Sequence, residues 1–182
     1  MRIAVDAREL CGRPTGVGRY LASLLDAWAA MPEAAAHEWL LFAPGRPAHP
    51  VALPHRLEVL PGGGGTRWEQ HTLLRALGAT RPDVLFAPGY SAPLLAPVPV
   101  LLTVHDVSFF AHPEYFHWRE GLRRRQVTAW SARRARIVAT DSLFSRDEIV
   151  RFLGVPEARV RVVPLGVDPP PAPALPVARE PT

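Results

Sequence analysis

The chain has 182 residues, 48% of them hydrophobic and 21% charged, a length and balance that fit one folded domain and exclude a disordered polyelectrolyte. Its single cysteine, Cys11, allows no intrachain disulfide and no cysteine-rich metal site, which points to a reducing, cytoplasmic setting. The net charge of +4 rests on 21 basic residues, all arginine; a forked cation of this kind suits phosphate, but the charge alone selects no partner.

The N-terminus carries Asp6 and Arg8 too early for a signal-peptide core, and the longest apolar stretch, Pro93 to Val104, is broken by Pro97 and Pro99. Neither a signal peptide nor a membrane span is expected. Arg2 to Ala7 reads as a short buried strand, followed by a Gly/Pro loop over 12–16. Val17, Tyr20, Leu21, Leu24, Leu25 and Trp28 then recur at intervals of three and four, the clearest helix in the sequence, with Pro32 beyond its end. Glu38 to Ala43 and Leu57 to Leu60 read as strands; the second runs into Gly62-Gly63-Gly64-Gly65, a mobile loop before a helix over Trp68 to Leu77.

Asp83 to Ala87 and Val98 to Val104 have the β-rich apolar character of central parallel strands. Arg119 to Ala135 should be helical and Arg136 to Thr140 a strand. Ser145 and Glu148 form a capping box before Ile149, Phe152 and Leu153, and Val160 to Val163 closes the series with a strand. Residues 169–182, rich in proline and without periodicity, read as a linker or tail behind a domain over 1–168. The alternation predicts an α/β, Rossmann-like, doubly wound and mostly parallel sheet with helices on both faces. Its functional loops should follow Ala7, Ala87, Val104 and Thr140, at the carboxyl ends of strands.

The first of these loops brings Thr15-Gly16-Val17-Gly18-Arg19-Tyr20 to the start of the best helix. Backbone N–H groups there carry partial positive charge and glycine lets a phosphate approach; the plainer alternative is a tight strand-to-helix turn. A dinucleotide fingerprint would want glycine where Leu21 stands, and a phosphate loop would want a lysine, so neither an NAD nor an ATP site is indicated. His105-Asp106 follows a central strand, where histidine can donate to a sugar hydroxyl or move a proton and Asp106 could orient the ring; a structural histidine tied to backbone is the alternative. Ser91 lacks the last glycine of a hydrolase elbow. No Asp-x-Asp pair occurs, and no two histidines have zinc-site spacing with a glutamate as a metalloprotease motif would require, so no metal or other cofactor is expected. The arginines from Arg119 to Arg136 scatter round their helix at about 100° per residue, which reads as a solvated face and not a nucleic-acid stripe.

In order and spacing these pieces resemble the N-terminal domain of the retaining family 4 glycosyltransferases, mannosyltransferase-like members in particular. The resemblance is carried by Asp6-Ala7-Arg8, Gly16-Val17-Gly18-Arg19-Tyr20, the run Arg81 to Pro88, Thr103-Val104-His105-Asp106-Val107, the run Thr140 to Ser145, and the run Val162 to Asp168. It implies half of a GT-B enzyme, with the active site in the cleft between two Rossmann-like domains and the acceptor held mainly by this one. It further implies Gly16, Gly18 and Arg19 near the donor diphosphate, His105 hydrogen-bonded to the transferred sugar and supporting its oxocarbenium-like transition state, and Asp106, Tyr90 and Ser142 along the crevice wall. The expected partners are a nucleotide-diphosphate sugar, a glycan or lipid-linked acceptor, and a C-terminal donor-binding domain in cis or on a second chain. No nucleic acid is expected, and peripheral contact with the inner membrane face stays open. In that family the residues gripping the diphosphate lie in the C-terminal domain, so the chain alone should turn over little. The rival reading is a non-catalytic module for carbohydrate or lipid head groups.

Overall fold

The computed structural model describes residues 1–13, 15–115 and 117–167, without the side chains of Pro113 and Glu120. The strands are β1 (Arg2–Asp6), β2 (Glu38–Ala43), β3 (Arg56–Val59), β4 (Val84–Ala87), β5 (Val100–Thr103), β6 (Ile137–Thr140) and β7 (Val160–Val162). They form one sheet in the order β3-β2-β1-β4-β5-β6-β7, and every neighbouring pair is parallel. The expected doubly wound α/β fold is therefore present, with a sheet that is parallel throughout these strands.

Successive residues of a strand face opposite sides, which explains why the central runs are apolar without alternation. Ala4, Leu40, Leu85 and Leu102 point to one side, where α2 (Leu74–Thr80), α4 (Trp118–Arg134) and α5 (Leu143–Leu153) add Leu77, Ala132, Ile149 and Leu153. Val5, Leu41 and Phe86 point to the other, where α1 (Gly16–Ala29) contributes Leu21 and Leu25 and Trp28 stacks on Trp39 at 5.1 Å. Each of these core leucines is about 2% exposed or less; burying a Leu side chain is worth roughly 1.5–3 kcal/mol, so the two-sided sheet is the main source of stability.

From β1 the chain moves outward to β2 and β3, then returns to place β4 on the opposite side of β1. The direction of travel across the sheet thus reverses between β1 and β4. Loops part at such a point and leave a crevice beyond the carboxyl ends of the strands.

The structure departs from the sequence reading at several places. The last long helix is capped by Ser142, whose Oγ accepts from the Ser145 amide at 3.1 Å, so the Ser145–Glu148 capping box is not formed; β6 ends at Thr140, leaving Ser142 nearest the turn, and Glu148 instead faces Arg151. The strand expected from Val98 starts at Val100, since Pro97 and Pro99 have no N–H for a ladder. The helix expected from Trp68 opens with a π-helical turn, Trp68–Leu73. Two of the four glycines are closely fitted, since a Cβ at Gly62 (φ +142°) would stand 2.7 Å from Trp68 Cδ1 and Gly64 (φ +68°) abuts Pro44, while a Cβ at Gly63 or Gly65 would meet nothing within 4 Å. One short helix, α3 (Ser108–Ala111), was not foreseen. Residues 168–182, including the expected linker, lie outside the described residues.

Candidate active site at the sheet's switch point

The loops after β1 and β4 meet closely: a Cβ at Gly89 would lie 3.0 Å from Val17 Cγ1 at the head of α1. This contact brings the turn after β4 against the first helix. The next residue, Tyr90, takes the left-handed conformation (φ +56°), which a bulky side chain adopts only at a cost of about 1–3 kcal/mol. The hydroxyl explains what holds it there, since Tyr90 donates to Asp106 Oδ2 at 2.7 Å. Burial and that bond to a carboxylate push the Tyr90 phenol well above its ordinary range.

His105 follows β5 and stands at the centre of this floor. Tyr20 meets its ring edge-on at 4.8 Å and Tyr90 at 5.8 Å. Nδ1 lies 2.8 Å from Asp141 Oδ2 and Nε2 lies 3.1 Å from the Pro88 carbonyl. The carboxylate and the carbonyl are both acceptors, so a ring nitrogen that carries a proton donates to the partner it faces. The carboxylate that orients the ring is thus Asp141, from the loop after β6, and not Asp106 as the dipeptide suggested. Asp106 instead accepts from the Ser108 amide and hydroxyl at 2.8 and 2.6 Å. Burial works to raise the Asp106 carboxyl, but the bonds from Ser108 and Tyr90 outweigh it and hold it below its usual value.

Beneath this floor lies a buried charge network. Asp6 at the end of β1 and Glu69 in the π-helical turn are each 1% exposed, and both face the Arg8 guanidinium: Glu69 Oε2 accepts from Nη2, and Asp6 Oδ2 lies 3.0 Å from the same nitrogen. Asp6 Oδ2 nonetheless accepts no hydrogen bond, so its link to Arg8 is charge pairing without aligned N–H geometry. Ser91 donates to Glu69 Oε2 at 2.6 Å, while Gln70 bonds Glu69, the Ala92 carbonyl and the Leu94 amide. Burial raises the Asp6 carboxyl to about 6 against the pull of Arg8; burial also opposes the charge on Arg8, but the two carboxylates outweigh it and raise the guanidinium. This network fixes the loops after β1 and β4 to the start of α2.

Above it opens a cleft of about 680 Å³ lined by Arg8, the glycines 63–65, Arg67, Tyr90, Ser91 and the α4 residues Arg123 and Arg124. Arg123 closes one wall by donating to Thr66 Oγ1. Among the described residues, no three His, Cys, Asp or Glu side chains gather as a metal cage.

The other residues singled out by sequence are distributed unevenly. At Gly16 nothing would meet an added Cβ within 4 Å, so the first turn of α1 faces open space there. At Gly18 a Cβ would stand 2.4 Å from the Glu9 carbonyl oxygen, and its amide is capped by Thr15 Oγ1 at 2.9 Å; packing alone therefore demands this glycine. Arg19 lines a separate, mostly apolar hollow of about 260 Å³ with Leu10, Ala22 and Val51. Ser142 is occupied as the cap of α5, next to the Ser145 hydroxyl that donates to the His105 carbonyl at 3.0 Å. Asp141, Tyr20, Glu69 and Gln70 were given no role from sequence. For Asp141 a signal existed in the motif after β6; for Glu69 the only hint was a carboxylate beside Trp68 in an otherwise helical run.

A parallel sheet whose strand ends at the switch point hold a histidine between two tyrosines, beside a cleft lined by Tyr90, is an α/β domain of the kind that forms one half of a GT-B glycosyltransferase. The chain belongs to Glycosyltransferase Family 4, whose family model matches residues 14–170. Among solved structures it is similar to Anabaena Alr3699/HepE in complex with UDP-glucose, with 20% identity, a TM-score of 0.61, and 92% of this chain aligned on 44% of that one. The lipopolysaccharide outer core galactosyltransferase WaaB in its apo form aligns at 11% identity and TM-score 0.51, over 92% of this chain and 46% of that one. UDP-N-acetylglucosamine 2-epimerase from Rickettsia bellii aligns at 10% identity and TM-score 0.51, over 88% and 43%. At these identities the likeness is one of fold. The chain spans less than half the length of these neighbours. No curated protein matches its sequence. Among the described residues, no helix is long and apolar enough to cross a membrane.

Proposed function

We propose that this chain is the acceptor-side half of an enzyme that moves a sugar from a nucleoside-diphosphate donor to a glycan or lipid-linked acceptor. The observation that carries the reading is the His105 floor: an imidazole fixed by Asp141 and flanked by Tyr20 and Tyr90, at the carboxyl end of β5 beside the head of α1. Family membership supplies the reaction class, and the neighbour crystallised with UDP-glucose supports a nucleotide sugar as donor. Mannose is the sugar suggested by the sequence resemblance, and retention of configuration goes with it.

In this reading His105 donates to a hydroxyl of the transferred sugar, and the Pro88 carbonyl must share or yield its place on Nε2. Asp141 keeps the ring oriented so that this donor needs no rearrangement during reaction; a preorganised group of that kind is worth about 3–4 kcal/mol of barrier. Gly16 leaves the first amides of α1 open to a diphosphate. The phosphate grip and leaving-group stabilisation belong to a second, donor-side domain, without which turnover is small.

The test is donor hydrolysis and sugar transfer across a panel of nucleotide sugars, with this domain joined to its donor-side half, comparing wild type, His105→Ala and Asp141→Asn. Transfer from one donor should fall about 100-fold or more in His105→Ala and less in Asp141→Asn. Turnover that both variants retain in full would remove His105 from the site. Binding of sugars without turnover of any donor would replace the enzyme reading with a binding module.

A further inference from the structure

We infer that a hollow at the amino end of the sheet, opposite the crevice, binds a small phosphorylated molecule that carries an apolar or planar body. The hollow has a volume of about 620 Å³. Its walls come from the stretches that lead into three neighbouring strands: Val98 and Pro99 ahead of β5, Ala135 and Arg136 ahead of β6, and Arg159 ahead of β7. His105 and Asp141 follow the carboxyl ends of β5 and β6, so the length of the strands separates this hollow from the His105 floor.

Three guanidinium groups, those of Arg134, Arg136 and Arg159, line the hollow, and no acidic side chain does. The sequence alone read the arginines of α4 as a solvated face; the fold gathers the last of them with Arg136 and with Arg159 from a distant turn. Part of this charge answers the end of α4, whose unpaired carbonyls attract cations. That part falls to Arg159, whose Nη1 donates to the Arg133 and Ala135 carbonyls at 2.9 and 3.1 Å. The same bonds hold its guanidinium in place and leave Nε and Nη2, an edge that can grip an oxyanion through two parallel bonds, without a partner among the described residues. Arg134 and Arg136 are exposed, and their guanidinium groups make no hydrogen bond or ion pair among the described residues. Glu157, the acid nearest to Arg159 in sequence, is turned instead to Arg146 at 3.4 Å.

The rest of the lining is largely apolar, with Pro93, Leu94, Ala96 and Val98 on one wall and Leu95, 74% exposed, at its edge. That wall is fixed before any ligand arrives. The Ala92 amide donates to Ser131 Oγ and the Ser131 hydroxyl donates to the Ala92 carbonyl, both at 3.2 Å. Gln70 accepts from the Leu94 amide at 2.9 Å, and the Ala96 amide donates to the Pro93 carbonyl at 3.1 Å. A preformed hollow of this kind spends no binding energy on ordering its own loop. Inorganic phosphate would meet the guanidinium groups and leave the apolar wall bare, and an uncharged apolar molecule would leave three cations unmatched. A phosphate ester on a ring or other compact apolar body satisfies both. Duplex nucleic acid calls for cations arrayed in a stripe along which phosphates repeat, whereas these converge on one concave site.

The experiment is calorimetric titration of the chain with phenyl phosphate and with inorganic phosphate at about pH 8, where both are largely dianions, at low and high salt. Phenyl phosphate should bind with a dissociation constant on the order of 1 mM or below, about tenfold tighter than inorganic phosphate because the ring is removed from water, and more weakly as salt rises. Arg134→Gln/Arg136→Gln should weaken it about tenfold through the loss of two ion pairs. This variant should keep the wild-type thermal midpoint, since both side chains are exposed and unpaired among the described residues. Arg67→Gln, which alters the cleft beside the crevice, should bind as wild type. Absence of saturable binding by either anion, or full binding by the double variant, overturns the site. Binding that Arg67→Gln removes would place the anion in the crevice cleft and overturn it equally. Equal affinity for the two anions would overturn the ligand class, because the apolar wall would then take no part. Each of these outcomes is read without any donor being turned over, so failure of the transferase reading leaves the test intact.

Discussion

Asp6→Asn isolates the energetic cost of the buried network under the site. The wild-type carboxyl is buried beside Glu69 and one shared guanidinium, and its pKa is raised from an ordinary 3.8 to about 6, first by burial. The folded state therefore holds this proton more tightly than the unfolded chain does. Between about pH 4 and pH 6 folding takes up a proton at this group, so its contribution falls as pH rises. The full penalty, reached above pH 6, is about 3 kcal/mol, a tenfold change in ionisation being worth 1.36 kcal/mol. Asparagine keeps the shape and an acceptor for the Arg8 amide, which Asp6 Oδ1 now meets at 3.3 Å, but carries no charge to desolvate; Glu69 still neutralises Arg8. Urea unfolding of both proteins at pH 4.5 and pH 8 gives the comparison, and the difference between them cancels the titration of all other groups. The variant should gain on the wild type by about 2–3 kcal/mol between the two pH values. A difference that is constant with pH, or one that moves against the variant as pH rises, would refute the claim that Asp6 is ionised there at a cost and would show that its pairing with Arg8 outweighs its desolvation.

Gly18→Ala should destabilise, because a Cβ placed 2.4 Å from the Glu9 backbone oxygen forces α1 or its preceding turn to move, at about 1–3 kcal/mol; Gly16→Ala, which meets nothing within 4 Å, should leave the thermal midpoint unchanged. A Gly18→Ala protein that melts with the wild type would sink the close approach, and loss of stability in Gly16→Ala would sink the view that this position is open. Tyr90→Phe deletes a bond that holds the Asp106 carboxyl low, so NMR titration should find that carboxyl moved up. Asp106 contributes stability present above its unfolded pKa and lost as pH falls through its lower folded value. The variant should narrow that acid window, and an unmoved Asp106 titration would show that Ser108 alone holds it.

The sheet was legible in the sequence because burial on two faces leaves a plain mark. Runs such as Glu38 to Ala43 and Val84 to Ala87 cannot sit anywhere but between two layers of helix, and α1 announces itself through Leu21 and Leu25 on one stripe. The position of His105 followed from the same logic, since the residue after a central strand must face the crevice. Its partner could not be found that way. Asp106 is adjacent in sequence, but the turn into α3 directs it to Ser108 and Tyr90, and the loop after β6 supplies Asp141 from 36 residues away. Local spacing carries no information about which loop of a parallel sheet folds over its neighbour.

The π-helical turn at Trp68–Leu73 marks the same limit from another direction. Its periodicity differs from that of an α-helix only over a few residues, so the apolar pattern read as an ordinary helix start. Yet the widened turn is what turns Glu69 inward to Arg8 and Ser91 while Gln70 reaches the Ala92 carbonyl and the Leu94 amide. A regular helix places consecutive side chains about 100° apart, whereas here two neighbours both grip one loop. The irregularity is thus tied to the crevice: it locks the loop bearing Gly89 and Tyr90, which supports the His105 ring, onto the end of β1. If the loop is as rigid as these bonds require, the shape of the His105 floor is set by the buried carboxylates before any ligand arrives, and binding need not supply the energy to order it.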